Sequence, residues 1–373
     1  MPWWKRVTGS IPNASKNDLP DMQDHSSLTE HLRTLKERPG VASDQLRNLL
    51  EYWAARHDSA ASIRLLQTLV LKYAYAEKDL YRLNRELLAK QERIEEDLAA
   101  AAEIQRSLLP RKPGDYGPLE IEWMFQPSAQ IGGDIFNLIR LADHLWAIYT
   151  LDISGHGVPA AMVAVSVYQA LQPGSNFVSR PDPRVAQGES PQRPAEVLKA
   201  LDAGYPFERF SNFFTIVYLL IDTAAGTLTC SNAGHPQPVI LRKGGAIQRL
   251  KRGGPVIGLR SLRPQAEREI LFGEEKIRLT PGDRVLLYTD GLTEYQNAAG
   301  ELYGNARFLA RLEALRERPL ADMVAAVRLS LREFGGGAKP ADDMTLLGIE
   351  LKEPGATGKE KMEASPRAFD PGL

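Results

Sequence analysis

A single cysteine, Cys230, stands in the 373 residues, so no intrachain disulfide can form, and the chain suits a reducing compartment such as the cytoplasm. An excess of either charge is also missing. Lys and Arg number 46 against 47 Asp and Glu, and the formal charge of −1 gives no footing for nucleic acid or an anionic membrane as an obligate partner. Long hydrophobic runs are absent too. The longest, FFTIVYLLI at 213–221, is roughly half of what a membrane-spanning helix needs. The opening residues MPWWKRVTGS carry a basic pair with no apolar stretch behind it, unlike a secretory signal. What is present, 43% hydrophobic and 25% charged residues, is the composition of a soluble globular protein.

Residues 1–26 and 354–373 are polar and read as disordered tails. Ser27 with Glu30 forms a capping-box pattern, Pro39-Gly40 ends the helix it opens, and a second helix covers 43–56. The short helical region 27–58 is expected to dock an upstream regulator. From there Leu66, Leu69, Tyr73, Ala76, Leu80, Leu83, Leu87, Lys90 and Ile94 step by three and four, the seam of a coiled coil. Ile94 to Leu98 is a second consecutive step of four, a stutter that relaxes the supercoil locally. The seam resumes through Ala101 and ends near Leu108, and Pro110 closes it. Some 45 residues of helix would reach about 70 Å, more than one compact domain covers. Residues 59–109 therefore read as a stalk that pairs two copies of the chain, the alternative being a helix laid along the protein's own domain.

After Pro110 the pattern turns strand-like. Strands are predicted at 119–126, 133–141, 145–153, 213–222, 226–234, 238–243, 275–280, 284–290 and 345–351, and helices at 158–171, 194–205, 305–316 and 319–334. DTAAGT and RKGGAI look like hairpin connections, and 172–193, rich in Pro, Ser, Gly and Gln, reads as a mobile loop. Runs of short strands with helices between the groups predict an α+β fold built on antiparallel sheets.

Aspartates mark the ends of these strands. Asp134 lies in IGGDIF, Asp152 in YTLDISGHG, Asp290 in LLYTDGLTE, and Asp342 and Asp343 in PADDMTLL. Aspartate is poor strand chemistry, and such charges would repel one another if they converged. A hard divalent cation, Mg²⁺ or Mn²⁺, would remove that conflict, because it prefers carboxylate, carbonyl and water oxygens. Each motif alone is also an ordinary turn signal. The set shares one context: strand end, aspartate, small residues.

In order along the chain, EIQRSLLP, GGDIFN, LDISGHGVPAAM, SNAGHPQP, GGPVIGL, PGDRVLLYTDGLTE and DDMTLL resemble the PPM family of metal-dependent serine/threonine phosphatases. The likeness is to its bacterial branch of sporulation stage II E and sigma-factor-regulating phosphatases, over about residues 100–352. It implies two antiparallel sheets packed face to face with helices outside, and a centre of two Mn²⁺ or Mg²⁺ ions. Asp152 would bridge both ions, the carbonyl of Ile153 would ligate one, Asp290 and Asp342 would hold the other, and Asp134 would bind directly or through water. Asp343 is the lesser candidate of its pair, its alternative being to cap the turn before the last strand. His156 is the candidate general acid, although two residues separate the aspartate from Gly155-His156 where the eukaryotic pattern has none. Hydrolysis by activated water needs no covalent phosphoenzyme, so Cys230 has no catalytic task. The branch also implies a substrate, a phosphoserine on a small anti-sigma-factor antagonist. Two other classes remain: a catalytically inactive interaction module of the same fold, and a two-metal phosphoesterase acting on nucleotides.

Overall fold

The computed structural model describes residues 60–110, 114–181, 189–262 and 272–353. The expected tails at 1–26 and 354–373 and the helical region 27–58 lie outside the described residues. The chain divides into two units, residues 1–93 and 94–373. Helix α1 (Ala60–Leu108) begins in the first and ends in the second. In the first unit the seam positions Leu69, Tyr73, Leu80, Leu83 and Leu87 are exposed, Leu80 at 68%. In the second unit the end of the helix lies on its own domain. Ala102 is buried with Ile131 and Ala161, and Leu98 and Ala101 pack against them. This last part of the helix packs through small side chains, which let backbones approach closely.

The second unit is a sandwich of two antiparallel sheets. One has six strands in the order β1-β2-β13-β12-β9-β10, namely Gly114–Tyr116, Leu119–Gln126, Met344–Leu351, Arg284–Tyr288, Val239–Leu241 and Ile247–Arg249. The other has five in the order β11-β8-β7-β4-β3, namely Glu274–Arg278, Thr227–Ala233, Phe214–Asp222, Leu145–Ile153 and Ile135–Ala142. Alternation along each strand feeds different layers, as the period of two requires. In β4, Trp146 and Ile148 point between the sheets, whereas Ala147, Tyr149, Leu151 and Ile153 face helices α2 (Val158–Ala170) and α3 (Pro194–Gly204). In β12, Val285 and Leu287 join the inter-sheet core, and Leu286 and Tyr288 pack under α6 (Gly304–Ala314) and α7 (Leu320–Gly335). Two short helices complete the unit, α4 (Phe207–Phe210) and α5 (Asp290–Thr293). The hairpins read from DTAAGT and RKGGAI join β7 to β8 and β9 to β10.

One stretch departs from expectation. Within 172–193, read as a loop from composition, β5 (Ser179–Pro181) pairs with β6 (Glu189–Pro191). The pair is anchored at its base, where Val178 is fully buried and its carbonyl accepts the N–H of Gln192 at 2.8 Å. A two-stranded ribbon is all edge, and an edge tolerates the prolines that made the segment look irregular.

At the start of β12, Asp283 ties the end of the sandwich opposite the strand-end aspartates. Its carboxylate accepts the Thr280 N–H (2.8 Å) and hydroxyl (2.9 Å), the Lys243 N–H (3.1 Å) and the Arg242 guanidinium (2.7 Å). Burial pushes the carboxyl up, but these four donors outweigh it and hold it below the usual carboxylate range. A depressed folded pKa stabilises the fold above the unfolded value, and that stabilisation disappears as pH falls through the folded one. Asp283→Ala should cost about 3 kcal/mol at pH 7. In urea titrations the gap between wild type and variant should narrow below about pH 4.

Candidate metal centre

Four strand ends from two sheets meet at one end of the sandwich. Asp134 immediately precedes β3 and Asp152 is the penultimate residue of β4, both in the five-stranded sheet. Asp290 opens α5 just after β12, and Asp342-Asp343 immediately precede β13, all on the six-stranded sheet. Antiparallel pairing sets these positions. β4 runs toward the site as β3 runs away, and β12 and β13 repeat the arrangement.

Asp343 uses both carboxylate oxygens on the opposite sheet's approach loop. Oδ2 accepts the Gly133 N–H at 2.6 Å and the Asp134 N–H at 3.3 Å, and Oδ1 accepts the N–H and hydroxyl of Ser128 at 2.7 and 3.0 Å. Its alternative role as a local turn cap is replaced by this longer reach. Asp342, by contrast, accepts the adjacent Asp343 N–H at 2.8 Å. Asp134 is 1% exposed, and its Oδ2 receives the hydroxyls of Thr289 (2.8 Å) and Thr345 (2.5 Å). Gly132 and Gly133 are required by proximity: a Cβ on Gly132 would run into the Asp343 carboxylate, and one on Gly133 would lie 2.8 Å from the carbonyl of Ile153. From α1, Gln105 grips Gly132 at two points, donating to its carbonyl at 2.8 Å and accepting its N–H at 3.1 Å.

The carboxylates share one electrostatic field. Burial first, then Asp152 and Asp343, push the Asp134 carboxyl well above its ordinary range, against the two hydroxyl bonds. Burial, then Asp290, Asp342 and Asp343, raise Asp152 to about 8. Burial and the neighbouring Glu294 raise Asp290. Burial and the charges of Asp343 and Asp290 raise Asp342, against the Asp343 N–H bond and the field of His156. Among the described residues no three His, Cys, Asp or Glu are drawn in tightly enough to hold one ion. The donor set nonetheless fits a hard cation. It is all oxygen, its charges destabilise one another, the Ile153 carbonyl borders it, and Asp134 Oδ1 is buried with no hydrogen-bond partner among the described residues.

His156 is exposed on the loop after Asp152. That loop is stitched to the start of β7: Ser154 N–H to the Phe213 carbonyl (2.9 Å), Phe213 N–H to Ser154 Oγ (3.0 Å), and the Asn212 amide to the Ser154 carbonyl (2.6 Å). His235 has a different environment. Its Nδ1 meets Thr215 Oγ1 at 2.8 Å, its backbone exchanges hydrogen bonds with the Asn232 side chain, and burial lowers its pKa to about 3, so the ring stays neutral. Cys230 is buried in β8 away from this chemistry, and burial raises its thiol. Thr289, Thr345, Ser128 and Gln105 were not singled out from sequence, because a threonine in a strand and a glutamine on an amphipathic helix are ordinary there.

The Stage II sporulation protein E (SpoIIE) family profile matches residues 142–352. Protein IcfG of Synechocystis sp. is 24% identical over 273 residues, covering 68% of this chain and 41% of that protein. Phosphoserine phosphatase RsbP of Bacillus subtilis is 25% identical over 261 residues, covering 69% and 58%. The chain thus spans about half the length of these curated relatives. The SiaA-PP2C domain of Pseudomonas aeruginosa superposes with a TM-score of 0.57 at 23% identity, over 70% of this chain and 98% of that domain, which establishes a shared fold. Among the described residues no helix is long and apolar enough to cross a membrane.

Like charges held together at this end of the sandwich oppose folding until something neutralises them. Asp152→Asn should therefore raise the melting temperature in EDTA, by about 3 °C or more. The same substitution should abolish the stabilisation that Mn²⁺ gives the wild type. A variant that melts lower than wild type in EDTA would contradict this assignment of the repulsion.

Proposed function

We propose that this chain, which belongs to the SpoIIE family, is a metal-dependent serine/threonine protein phosphatase. The observation that carries the reading is the shared field of Asp134, Asp152, Asp290 and Asp342, contributed by both sheets to one end of the sandwich. Asp152, the Ile153 carbonyl, Asp290 and Asp342 would hold two Mn²⁺ or Mg²⁺ ions, with Asp134 beside them. When bound, the ions would supply Lewis acidity, lowering the pKa of water and offsetting phosphoryl charge. The chain's own share is to fix the donors. Asp343 ties the 128–134 loop to β13, and the Ser154 contacts hold the loop that carries His156. His156 is exposed, and its charge reaches Asp342, which suits a role in protonating the leaving serine oxygen.

For substrate we propose a phosphoserine on a small regulatory protein of the anti-sigma-factor antagonist kind. The branch resemblance and the name of RsbP, a phosphoserine phosphatase, support this class. An inactive module of the same fold has no observation in its favour, since all four aspartates are present.

The exposed seam in α1 supports pairing with a second copy, and the Gln105 grip on Gly132 gives that helix a route to the metal loop. A regulator bound at 27–58 would act by shifting the helix around the Ile94–Leu98 stutter.

Asp290→Asn in the full chain should lower Mn²⁺-dependent hydrolysis of a phosphoserine protein at least about 100-fold. Retention of near-normal, metal-dependent activity would refute the assignment. Leu80→Glu with Leu87→Glu should halve the mass found by sedimentation and change the turnover per subunit. A monomer with wild-type turnover would sink the regulatory part alone.

A further inference from the structure

We propose that the hydroxyls of Thr345 and Thr289 are positioning groups that make Asp134 a one-oxygen metal donor. The inference rests on the metal-phosphatase reading and adds a specificity device to it. Both hydroxyls converge on the same carboxylate oxygen, Oδ2, at 2.5 and 2.8 Å, while Oδ1 is buried with no partner among the described residues. A carboxylate free to turn about its last torsion could present either oxygen or both to a cation. Two O–H donors on one oxygen set the plane of the group and engage that oxygen, which leaves Oδ1 for the ion.

The direction of these hydrogen bonds is fixed by the backbone. The Thr289 hydroxyl accepts the Thr345 N–H at 3.0 Å, so its own proton must point elsewhere. The Asp134 oxygen at 2.8 Å is a nearer acceptor than the Asp343 carbonyl at 3.3 Å. The Thr289 N–H bonds in turn to the Thr345 carbonyl at 3.1 Å, so the two threonines lock each other. Thr345 pairs with Phe125 inside the sheet, and its β-branched side chain has few rotamers to lose. Its hydroxyl is fully buried and has Asp134 as its partner.

The chemistry of the ions gives this a consequence. Mg²⁺ and Mn²⁺ take octahedral sets of single oxygens, whereas Ca²⁺ accepts bidentate carboxylates and higher coordination. A carboxylate with one oxygen withdrawn suits the smaller ions. Releasing Oδ2 should therefore weaken Mn²⁺ binding more than Ca²⁺ binding.

The test is calorimetric titration of the full chain with Mn²⁺ and with Ca²⁺, alongside melting in EDTA. Thr345→Val removes the hydroxyl at nearly constant shape and, among the described residues, takes from that side chain its bond to Asp134 alone. It should weaken Mn²⁺ binding about tenfold or more and lower the Mn²⁺ to Ca²⁺ affinity ratio. Thr345→Ser should restore both. Thr345→Ala serves as a second hydroxyl-free variant if valine impairs folding, with the same expectation. A Thr345→Val protein that melts lower in EDTA but binds Mn²⁺ within twofold of wild type would show a purely structural role and overturn the inference. An equal loss of Mn²⁺ and Ca²⁺ affinity would also overturn it. Wild-type protein that takes up no Mn²⁺ would instead bring down the phosphatase reading, and this inference with it.

Discussion

Two carboxylates, each accepting hydrogen bonds from the side of the other sheet, fix one end of this sandwich. Asp343 leads into a strand of the six-stranded sheet and accepts the N–H groups of Gly133 and Asp134 from the five-stranded one. Asp134 leads into the five-stranded sheet and accepts hydroxyls from Thr289 and Thr345 of the six-stranded one. Apolar packing between the sheets is non-directional and would tolerate small slips. These hydrogen bonds are directional and buried, so they set one register between the layers at the place where the aspartates meet. The reciprocal arrangement also accounts for the two adjacent glycines, because the Asp343 carboxylate lies where a Cβ of residue 132 would be and the Ile153 carbonyl crowds residue 133.

Much of this was legible in the chain. Period-two alternation placed the central strands to within a residue or two, since strands such as β4 and β7 feed two distinct apolar layers and every position is constrained. The site aspartates stood out because aspartate at the end of an apolar run conflicts with its surroundings, and conflicts of local rules tend to mark function. The supporting groups carried no such conflict. Thr289 and Thr345 are good strand residues, and Gln105 is a good helix residue; their importance lies in partners 155, 211 and 27 positions away. The β5–β6 ribbon was hidden for the converse reason. Its prolines argue against regular structure locally, and the buried Val178 that anchors it counts only once the fold exists.

The same distinction separates the two histidines. Asn232 and Thr215 hold His235, and burial keeps it neutral, so it serves the loop before β9. His156 is exposed on a loop tied through Ser154 to Asn212 and Phe213, and its charge reaches Asp342. A GH pair stands in each motif; only the surrounding strands distinguish a buried imidazole from an exposed one.

Electrostatics and mechanics meet at Gly132. Its backbone is bound by Gln105 on one side, and the Asp343 carboxylate occupies the space where its side chain would be. The next two N–H groups bond to that same carboxylate. A displacement of the Gln105 end of α1 would therefore be passed to residues 132–134 with little slack, because the amide grips both the backbone donor and the backbone acceptor of one residue. The carboxylates raise one another's pKa, so their geometry is held against a repulsive load. Through Gln105, the end of α1 thus bears directly on the loop that carries Asp134.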